Sequence, residues 1–147
     1  MQLTRFTDYS IRVLVYLAQH PDEWVTIRQI SDDYAISRNH LMKVASFLGN
    51  HGYLRSQRGP GGGIRLKTEP ADIILADVIV DAEGDMTLLE CMDGAVTDIN
   101  SPQSRLRGVL TNAVQAFVDV LGSHTLEDLL SPRPAISEPI RKASVAR

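Results

Sequence analysis

The chain has 147 residues, of which 44% are apolar and 22% charged, with one cysteine and a formal net charge of −3. This length corresponds to about one ordinary domain, and the composition is that of a globular protein rather than a disordered one. One cysteine excludes an intramolecular disulfide and a cage of cysteines around a metal within one chain. No apolar run reaches the roughly 18 residues that cross a bilayer, so we expect a cytoplasmic protein with no membrane partner.

Charge is distributed unevenly along the chain. Residues 1–67 carry nine Lys and Arg against five acidic residues, whereas residues 68–130 carry two against twelve. A basic unit beside an acidic one is typical of a polyanion-binding module joined to a part with a different task. The alternative is that small domains commonly differ by a few charges, so this asymmetry alone does not decide for nucleic acid.

Three helices are predicted in the first fifty residues. Thr4 or Thr7 can cap the first helix, whose apolar residues recur at three- and four-residue spacing until Pro21 ends the run. Thr26 is predicted to cap a short second helix. After a break, Ser37 is predicted to cap a third helix, which ends in glycine and asparagine residues that tolerate left-handed geometry.

A glycine-rich hairpin is predicted after the third helix. Two short extended pieces, 53–57 and 64–67, flank the stretch 58–63, which contains four glycines and a proline. The order of helix, helix–turn–helix and hairpin predicts a mainly α winged helix-turn-helix DNA-binding domain over residues 1–69, with a small β-hairpin wing.

Several polar residues of this domain are candidates for DNA contact. The first turns of the third helix would enter a major groove, where Arg and Asn make bidentate contacts with guanine and adenine edges. Glycines in the wing would let the backbone approach phosphates closely. The alternatives are a solvated helix face and a plain hairpin loop. The predicted DNA-binding residues are Arg28, Ser37, Arg38, Asn39, His40, Lys43, Arg58, Gly61, Gly62, Gly63 and Arg65.

Three further parts are predicted after the hairpin. Pro70 leads into a helix whose apolar residues run from Ile73 to its end at Gly84, and an irregular stretch follows. A long helix is predicted from Ser104 to Leu121, before a short helical turn. The predicted parts are a linker helix and loop over 70–103, a dimerisation helix and C-terminal turn over 104–130, and a flexible tail over 131–147.

The long helix carries an apolar seam. Its members are spaced by four, three, four and three residues, an arrangement preferred for packing against one partner helix. The alternative is a helix that lies on the core of its own domain. Because DNA-binding proteins of this size usually dimerise over two half-sites, we predict a homodimer. The predicted dimerisation residues are Leu106, Leu110, Ala113, Phe117 and Val120.

Four segments together resemble the Rrf-two family of bacterial winged-helix regulators, in particular its nitric-oxide-sensing, NsrR-like branch. They are MQLTRFTDYSIRVLVYLA, ISRNHLMKV, RGPGGGIRL and HTLEDLL, and the likeness covers about residues 1–130. The resemblance implies a homodimer that represses promoters through palindromic sites in double-stranded DNA. It also implies that residues 37–43 and the wing fall on the family's DNA-contacting segments.

The loop before the long helix departs from the family pattern. Family members that sense iron or nitric oxide carry three cysteines there, and in this branch an acidic side chain of the partner subunit completes an iron–sulfur cluster. Cys91 matches the first cysteine and Asp8 the acidic position, whereas Val96 falls near the second cysteine and Gln103-Ser104 near the third. Because such clusters need soft thiolate ligands, usually four, these residues would hold the implied cofactor poorly.

Cys91 and Asp8 therefore keep several interpretations. Cys91 is a vestigial small apolar residue, a redox-sensing thiol, a ligand of a single metal ion together with Asp8 and a histidine, or part of a cluster. The acidic neighbours Glu90 and Asp93 disfavour a reactive thiolate. Asp8 is also explained without any ligand role, because a carboxylate in a first helical turn is favoured by the helix dipole.

The sequence predicts a DNA-binding transcriptional regulator, specifically a repressor, that acts as a homodimer and responds to a redox, nitric oxide or iron–sulfur-related signal. The alternative is a protein-interaction module of winged-helix fold that docks a metabolic enzyme or another regulator. An enzyme is not expected, because no base is placed beside the single cysteine and no phosphate loop or Ser/His/Asp order is present.

Overall fold

The computed structural model describes residues 2–84, residue 86 and residues 101–132. Most of the predicted loop, including Cys91, lies outside the described residues, as does the tail from 133 onward. Within the described residues, no helix is long and apolar enough to cross a membrane.

Helices and one hairpin make up the described part of the chain, together with a short 3-10 turn at Pro70–Asp72. The helices are α1 (Arg5–Ala18), α2 (Ile27–Tyr34), α3 (Arg38–Asn50), α4 (Leu75–Glu83), α5 (Pro102–Gly122) and α6 (Leu126–Leu130), and the hairpin strands are β1 (Leu54–Gln57) and β2 (Gly63–Leu66).

Helix α1 is capped by Thr4, one of the two threonines that the sequence predicted as caps. The Thr4 hydroxyl accepts a hydrogen bond from the backbone N–H of Thr7, at 3.3 Å, which satisfies a first-turn donor. Thr7 is instead fully buried. Leu14 and Leu17, on the same face of the helix, lie in the core, so α1 forms the central packing surface of the domain.

Helices α2 and α3 form the helix–turn–helix. Thr26 and Gln29 cap each other at the start of α2, with Thr26 N–H donating to Gln29 Oε1 at 2.7 Å. The turn places Ala35 in the left-handed region at φ 53°, and the Ser31 hydroxyl donates to the carbonyl of Ile36 at 2.7 Å. These contacts fix the angle at which α3 leaves α2.

The wing is an antiparallel hairpin whose strands pair Leu54 with Leu66 and Arg55 with Arg65. Its strands lie within one residue of the predicted ones. Val25 adds a short third pairing, because its N–H donates to Ile64 O at 3.0 Å and its carbonyl accepts from Ile64 N–H at 2.7 Å. One core cluster contains residues of α1, α2, α3 and the hairpin. The prediction of a mainly α winged helix-turn-helix is therefore confirmed.

Two helix boundaries differ from the prediction. The helix predicted from Ile73 begins only at Leu75. The chain is extended before it because Ile73 O accepts from Leu126 N–H at 2.8 Å and Leu75 N–H donates to His124 O at 3.0 Å. Helix α5 begins at Pro102 rather than Ser104, with Ser101 as its cap.

Candidate nucleic-acid interface

The first two turns of α3 present polar side chains to solvent. Arg38, Asn39 and Lys43 are exposed, whereas Leu41 and Val44, on the opposite side of the helix, are fully buried in the core. Within the described residues, neither Arg38 nor Lys43 forms an ion pair. Both cations are therefore available to an anionic partner.

The start of α3 is fixed by Ser37. Its hydroxyl accepts from the backbone N–H of His40 at 3.3 Å. The exposed His40 ring lies 6.0 Å, centroid to centroid, from the ring of Tyr9 on α1. Ser37 and His40 thus lie at the exposed start of α3, and His40 lies beside α1.

The glycines of the wing have a structural role that the sequence did not show. A Cβ on Gly62 would lie 2.2 Å from the carbonyl oxygen of Gln57, and one on Gly63 would lie 2.4 Å from that of Val25. Gly61 has open space, but its φ of 74° favours glycine. Packing and backbone conformation therefore explain these three glycines without any close approach to phosphates.

A groove separates α3 from the wing. It has a volume of about 560 Å³ and is lined by Ser46 and Asn50 of α3 and by Arg55, Arg58 and Ile64 of the hairpin. Arg58 is exposed and, in the part of the chain that the structure describes, has no ion-pair partner. Helix α3 and the wing thus flank one polar depression.

A second cavity, of about 270 Å³, lies between α1 and the start of α3. It is lined by Arg5, Tyr9, His40 and Lys43, with Phe6 among its apolar walls. The sequence analysis missed Arg5, because its proximity to Lys43 results from the packing of α1 against α3 and not from any local spacing. Arg5 thereby adds a cation beside the polar start of α3.

Two predicted DNA-binding residues already contact other side chains of the chain. Arg28 on α2 forms an ion pair with Asp32 at 3.6 Å, and both side chains are exposed. Arg65 is half-buried, with its guanidinium carbon 5.3 Å from the centre of the Trp24 ring. Arg28 is therefore a paired cation, whereas Arg65 forms no ion pair among the described residues but is less exposed than Arg38, Lys43 and Arg58.

Asp8 is engaged within α1. The Nε of Arg12 donates to both oxygens of this carboxylate, at 3.0 and 2.9 Å. The hydrogen bond and the charge of Asp8 raise the pKa of the Arg12 guanidinium above its ordinary value. As a metal ligand, Asp8 would have to give up or share this pairing.

The residues present do not fit an iron–sulfur cluster. The whole chain has one cysteine, and among the described residues no three His, Cys, Asp or Glu side chains gather around a possible metal ion. A three-cysteine site cannot form from one protomer, and two protomers supply two thiols where such clusters usually need four soft ligands.

Glu83, at the end of α4, is joined to the start of α1. Its carboxylate accepts from Thr4 N–H at 2.7 Å, from the Thr4 hydroxyl at 3.2 Å and from the Thr7 hydroxyl. Burial raises the pKa of Glu83, but these three hydrogen bonds outweigh it and lower the pKa below the ordinary value. The chain segment that precedes the predicted loop is thus fixed to the helix that packs on α3.

Helix α5 exposes an apolar face. None of its residues is fully buried, and Leu106, Val109 and Val120 are 52%, 65% and 62% exposed. Of the other predicted seam residues, Ala113 is exposed, whereas Leu110 and Phe117 are half-buried within the chain. The exposed stripe therefore includes Val109, which the sequence analysis missed.

Comparison with known proteins decides the family. The model of the family Rrf2, described as "Iron-dependent Transcriptional regulator", matches residues 3–132. The chain belongs to the Rrf2 family. Two similar relatives are HTH-type transcriptional regulators named NsrR. That of Bacillus subtilis is 44% identical over 138 residues, 92% of this chain and 94% of the relative. The relative from Bacillus licheniformis is 46% identical over 132 residues, which are 88% of this chain and 92% of the relative.

Solved structures of similar proteins have the same fold as this Rrf2 chain. CymR, the global cysteine regulator of B. subtilis, is 29% identical, with a TM-score of 0.71, and the match covers 91% of this chain and 99% of CymR. IscR of T. potens is 25% identical, also with a TM-score of 0.71, over 88% of this chain and 86% of IscR.

The Rrf2 chain is a transcriptional regulator and not an enzyme, as its sequence predicted. The alternative of a winged-helix module that only docks other proteins is not favoured, because the family and the relatives are transcriptional regulators.

Proposed function

We propose that the chain is a homodimeric repressor that binds palindromic double-stranded DNA through α3 and the wing. The observation that carries this proposal is the polar groove between the two elements, with the exposed, unpaired Arg58 in its lining and two further exposed, unpaired cations, Arg38 and Lys43, nearer the start of α3. A duplex seated against both elements would bring its phosphates to these cations, which is the main source of affinity in protein–DNA complexes.

Different residues serve affinity and specificity in this proposal. Arg38 and Asn39 lie at the exposed start of α3, where a recognition helix contacts base edges. Lys43 and Arg58 contact phosphates and set the position of the protein on the duplex. Arg28 contributes less, because Asp32 already offsets part of its charge.

The exposed face of α5 supports the homodimer. Leu106, Val109 and Val120 form a stripe at helical spacing that no described part of the chain covers completely. Packing this stripe against its copy removes apolar surface from water and relates the two winged helices by a two-fold axis. A two-fold dimer requires two half-sites of matching symmetry, which is why we propose a palindromic operator.

The regulatory signal is proposed to act through the chain that follows α4. A change there, at or near Cys91, would alter the relative placement of the two winged helices and their match to the half-site spacing. Since the donor set does not fit a cluster, we propose no step that passes through iron or sulfide. Besides a vestigial role, the interpretations of Cys91 are redox chemistry at its thiol and ligation of a single metal ion together with Asp8 and a histidine.

The proposal is tested by selecting preferred sequences from a randomised duplex library. We expect the protein to enrich a two-fold symmetric sequence, with an affinity that falls linearly on a logarithmic scale as salt rises. Arg38→Ala should weaken binding by about 1–3 kcal/mol and relax the preference at one position of each half-site. Arg58→Ala should weaken binding to all sequences and make the salt dependence shallower.

Arg105→Ala is the matched control. Arg105 is exposed on α5, and its replacement removes the same charge away from α3 and the wing. Affinity for the selected sequence should stay within about twofold of the parent, since surface changes away from the interface are usually small. If no symmetric sequence is enriched, or if Arg38→Ala and Arg58→Ala bind like Arg105→Ala, the proposal is wrong.

A further inference from the structure

Two arginines face each other across the base of the wing. Arg55 on β1 is the direct cross-strand partner of Arg65 on β2. Their guanidinium carbons lie 5.8 and 5.3 Å from the centre of the Trp24 ring. Like charges directly opposite in an antiparallel pair repel, and an aromatic ring offsets this only in part. Among the described residues, no carboxylate pairs with either guanidinium group to offset this repulsion.

Arg65 also has one hydrogen-bond donor that is not satisfied by the described residues. Its Nε is buried and has no hydrogen-bond partner, the single case of its kind among the described side chains. Buried donors are nearly always satisfied, so the Arg65 side chain is not fully satisfied by the residues that the structure describes. In the described part of the chain, Arg55, Arg65 and Lys67 also form no ion pair.

A cavity of about 130 Å³ adjoins these cations. It is lined by Arg55, Arg65 and Lys67, with Thr68 and Glu69 at the same wall. Glu69 is exposed and makes no ion pair with the three cations, so it does not neutralise them. Since a water molecule occupies about 30 Å³ in the liquid, the cavity has room for a tetrahedral oxyanion with some of its waters.

We propose that Arg55, Arg65 and Lys67 form a binding site for a phosphate group. Arginine suits this ligand because its planar guanidinium donates in parallel to two phosphate oxygens. A phosphate in the cavity would accept from the cations that line it and offset the repulsion between the two opposed guanidinium groups. The phosphate is either a backbone phosphate of the bound duplex, in which case the inference rests on the proposed function, or a free phosphate-bearing ion, in which case it does not.

Trp24 allows a direct test, because it is the only tryptophan of the chain and both guanidinium groups lie against its ring. Its fluorescence is recorded on the full chain during titration with inorganic phosphate at constant ionic strength, with chloride as the comparison. In a second arm, a random-sequence duplex is added while labelled-DNA anisotropy reports binding separately. A saturable phosphate response indicates a free ion, and a response to the duplex alone indicates a backbone phosphate; both support the site.

Variants assign the response to the cavity. Arg55→Gln and Lys67→Gln should each weaken the phosphate or duplex response at Trp24 at least about fivefold, as expected from the loss of a charge-assisted hydrogen bond. Arg65→Gln should abolish it. Arg105→Gln, which removes an exposed charge on α5, should respond like the parent. Circular dichroism confirms folding, and Arg55→Gln and Lys67→Gln, at exposed positions, decide the matter if Arg65→Gln does not fold.

The inference and the proposed function fail separately. If labelled DNA binds but neither phosphate nor duplex changes the Trp24 spectrum, the phosphate site is wrong and the proposed function stands. The site is also wrong if Arg55→Gln and Lys67→Gln respond like the parent. If labelled DNA does not bind while inorganic phosphate gives a saturable, Arg55-dependent response, the proposed function is wrong and the site stands as a free-ion site.

Discussion

Ser37 caps α3, and we propose that it also contacts DNA at the start of this helix. Its hydroxyl accepts from His40 N–H at 3.3 Å, and the residue is exposed beside the polar face of α3. Ser37→Ala removes the cap and should lower the free energy of unfolding by about 1 kcal/mol, the usual contribution of a serine cap. Urea denaturation of the parent and the variant measures this difference.

Ser37→Asp separates the two tasks. Aspartate also caps a helix and favours its N-terminus electrostatically, so the unfolding free energy should equal or exceed that of the parent. The added negative charge should repel DNA phosphates and lower affinity for the selected duplex. A variant as unstable as Ser37→Ala, or one that binds DNA like the parent, would contradict this account.

Glu83 should make stability depend on pH. Its pKa is lowered in the folded chain, so its stabilising effect is present above the unfolded value of about 4.3 and is lost as pH falls through the lower folded pKa. The difference in unfolding free energy between the parent and Glu83→Gln should therefore shrink from about pH 7 to about pH 3. Denaturation at both pH values measures it.

The control for Glu83 is Asp22→Asn, in the exposed turn after α1. Its difference from the parent should be small at both pH values, because among the described ion pairs none involves Asp22. An equal pH dependence in the two variants would mean that the Thr4 and Thr7 hydrogen bonds do not stabilise the carboxylate.

At the scale of residues, local partners were predictable and distant ones were not. The caps at Thr26 and Ser37 follow from the sequence because each side chain binds a backbone N–H three residues away. Glu83 binds Thr4 and Thr7 across 79 and 76 residues. No periodicity or motif connects positions so far apart, so that contact required the structure.

At the scale of elements, the wing depends on a glycine at its contact with Val25. In Gly63→Ala the new Cβ would lie 2.4 Å from Val25 O, so β2 must move away from its backbone partner. We expect the unfolding free energy to fall by about 1–3 kcal/mol, as for other overpacked sites. Affinity for the selected duplex should fall as well, because the displaced strand carries one side of the wing.

Gly122→Ala is the matched control for this substitution. Its Cβ would lie 3.8 Å from that of Ala76, an ordinary contact at the end of α5. Stability and DNA affinity should remain close to those of the parent. If Gly63→Ala is as stable as Gly122→Ala and binds DNA equally well, the Val25 contact does not hold the wing in place.

The first residues of α4 and α5 show which helix boundaries could be predicted from the sequence and which could not. Ile73 continues an apolar pattern, which favoured a longer helix, but its carbonyl bonds to Leu126 N–H, a partner 53 positions further along. That pairing is a tertiary contact that sequence periodicity does not contain. The start of α5 was accessible, by contrast, because a serine followed by proline is a typical helix start, and Ser101-Pro102 was overlooked.

At the scale of the whole molecule, the dimer should depend on the exposed stripe of α5. Val109→Glu places a charge at its most exposed apolar position and should shift the dimer toward monomer, because an unpaired charge at an apolar contact is strongly unfavourable. Analytical ultracentrifugation over a concentration series measures the shift. DNA affinity should fall in parallel, since one winged helix contacts a single half-site.

Thr111→Glu is the control for the dimer. Thr111 is exposed on the same helix, about 180° around its axis from the middle of the stripe. It should leave the dimer intact. Equal dissociation in both variants, or none in Val109→Glu, would place the dimer contact elsewhere.

The metal content of the molecule is a separate prediction. Because one cysteine per chain does not supply the thiolates of a cluster, protein purified without oxygen should show no iron–sulfur charge-transfer absorption. Iron and sulfide assays on the same sample provide the independent measurement. Stoichiometric iron and acid-labile sulfide would show that other ligands replace the missing cysteines.

The order of elements in the sequence was enough to predict the fold and the family. Which side of α5 faces its own chain could not be predicted without tertiary information. The a/d spacing from Leu106 to Val120 is present in the sequence, yet Leu110 and Phe117 are half-buried and Val109 is exposed. Which side of a helix faces its own chain depends on how it packs, here on α4, and spacing alone fixes only the width of the stripe.

Two side chains of helix α4 form hydrogen bonds with residues of the winged helix-turn-helix. The Tyr53 hydroxyl, just after α3, donates to Asp81 at 2.8 Å, and Glu83 accepts from Thr4 and Thr7 of α1. A displacement transmitted past Gly84 would therefore rotate α1, α3 and α4 together as a rigid body. We expect the forms that bind and release DNA to differ in the separation of the two recognition helices, while the interior of each winged helix keeps its shape.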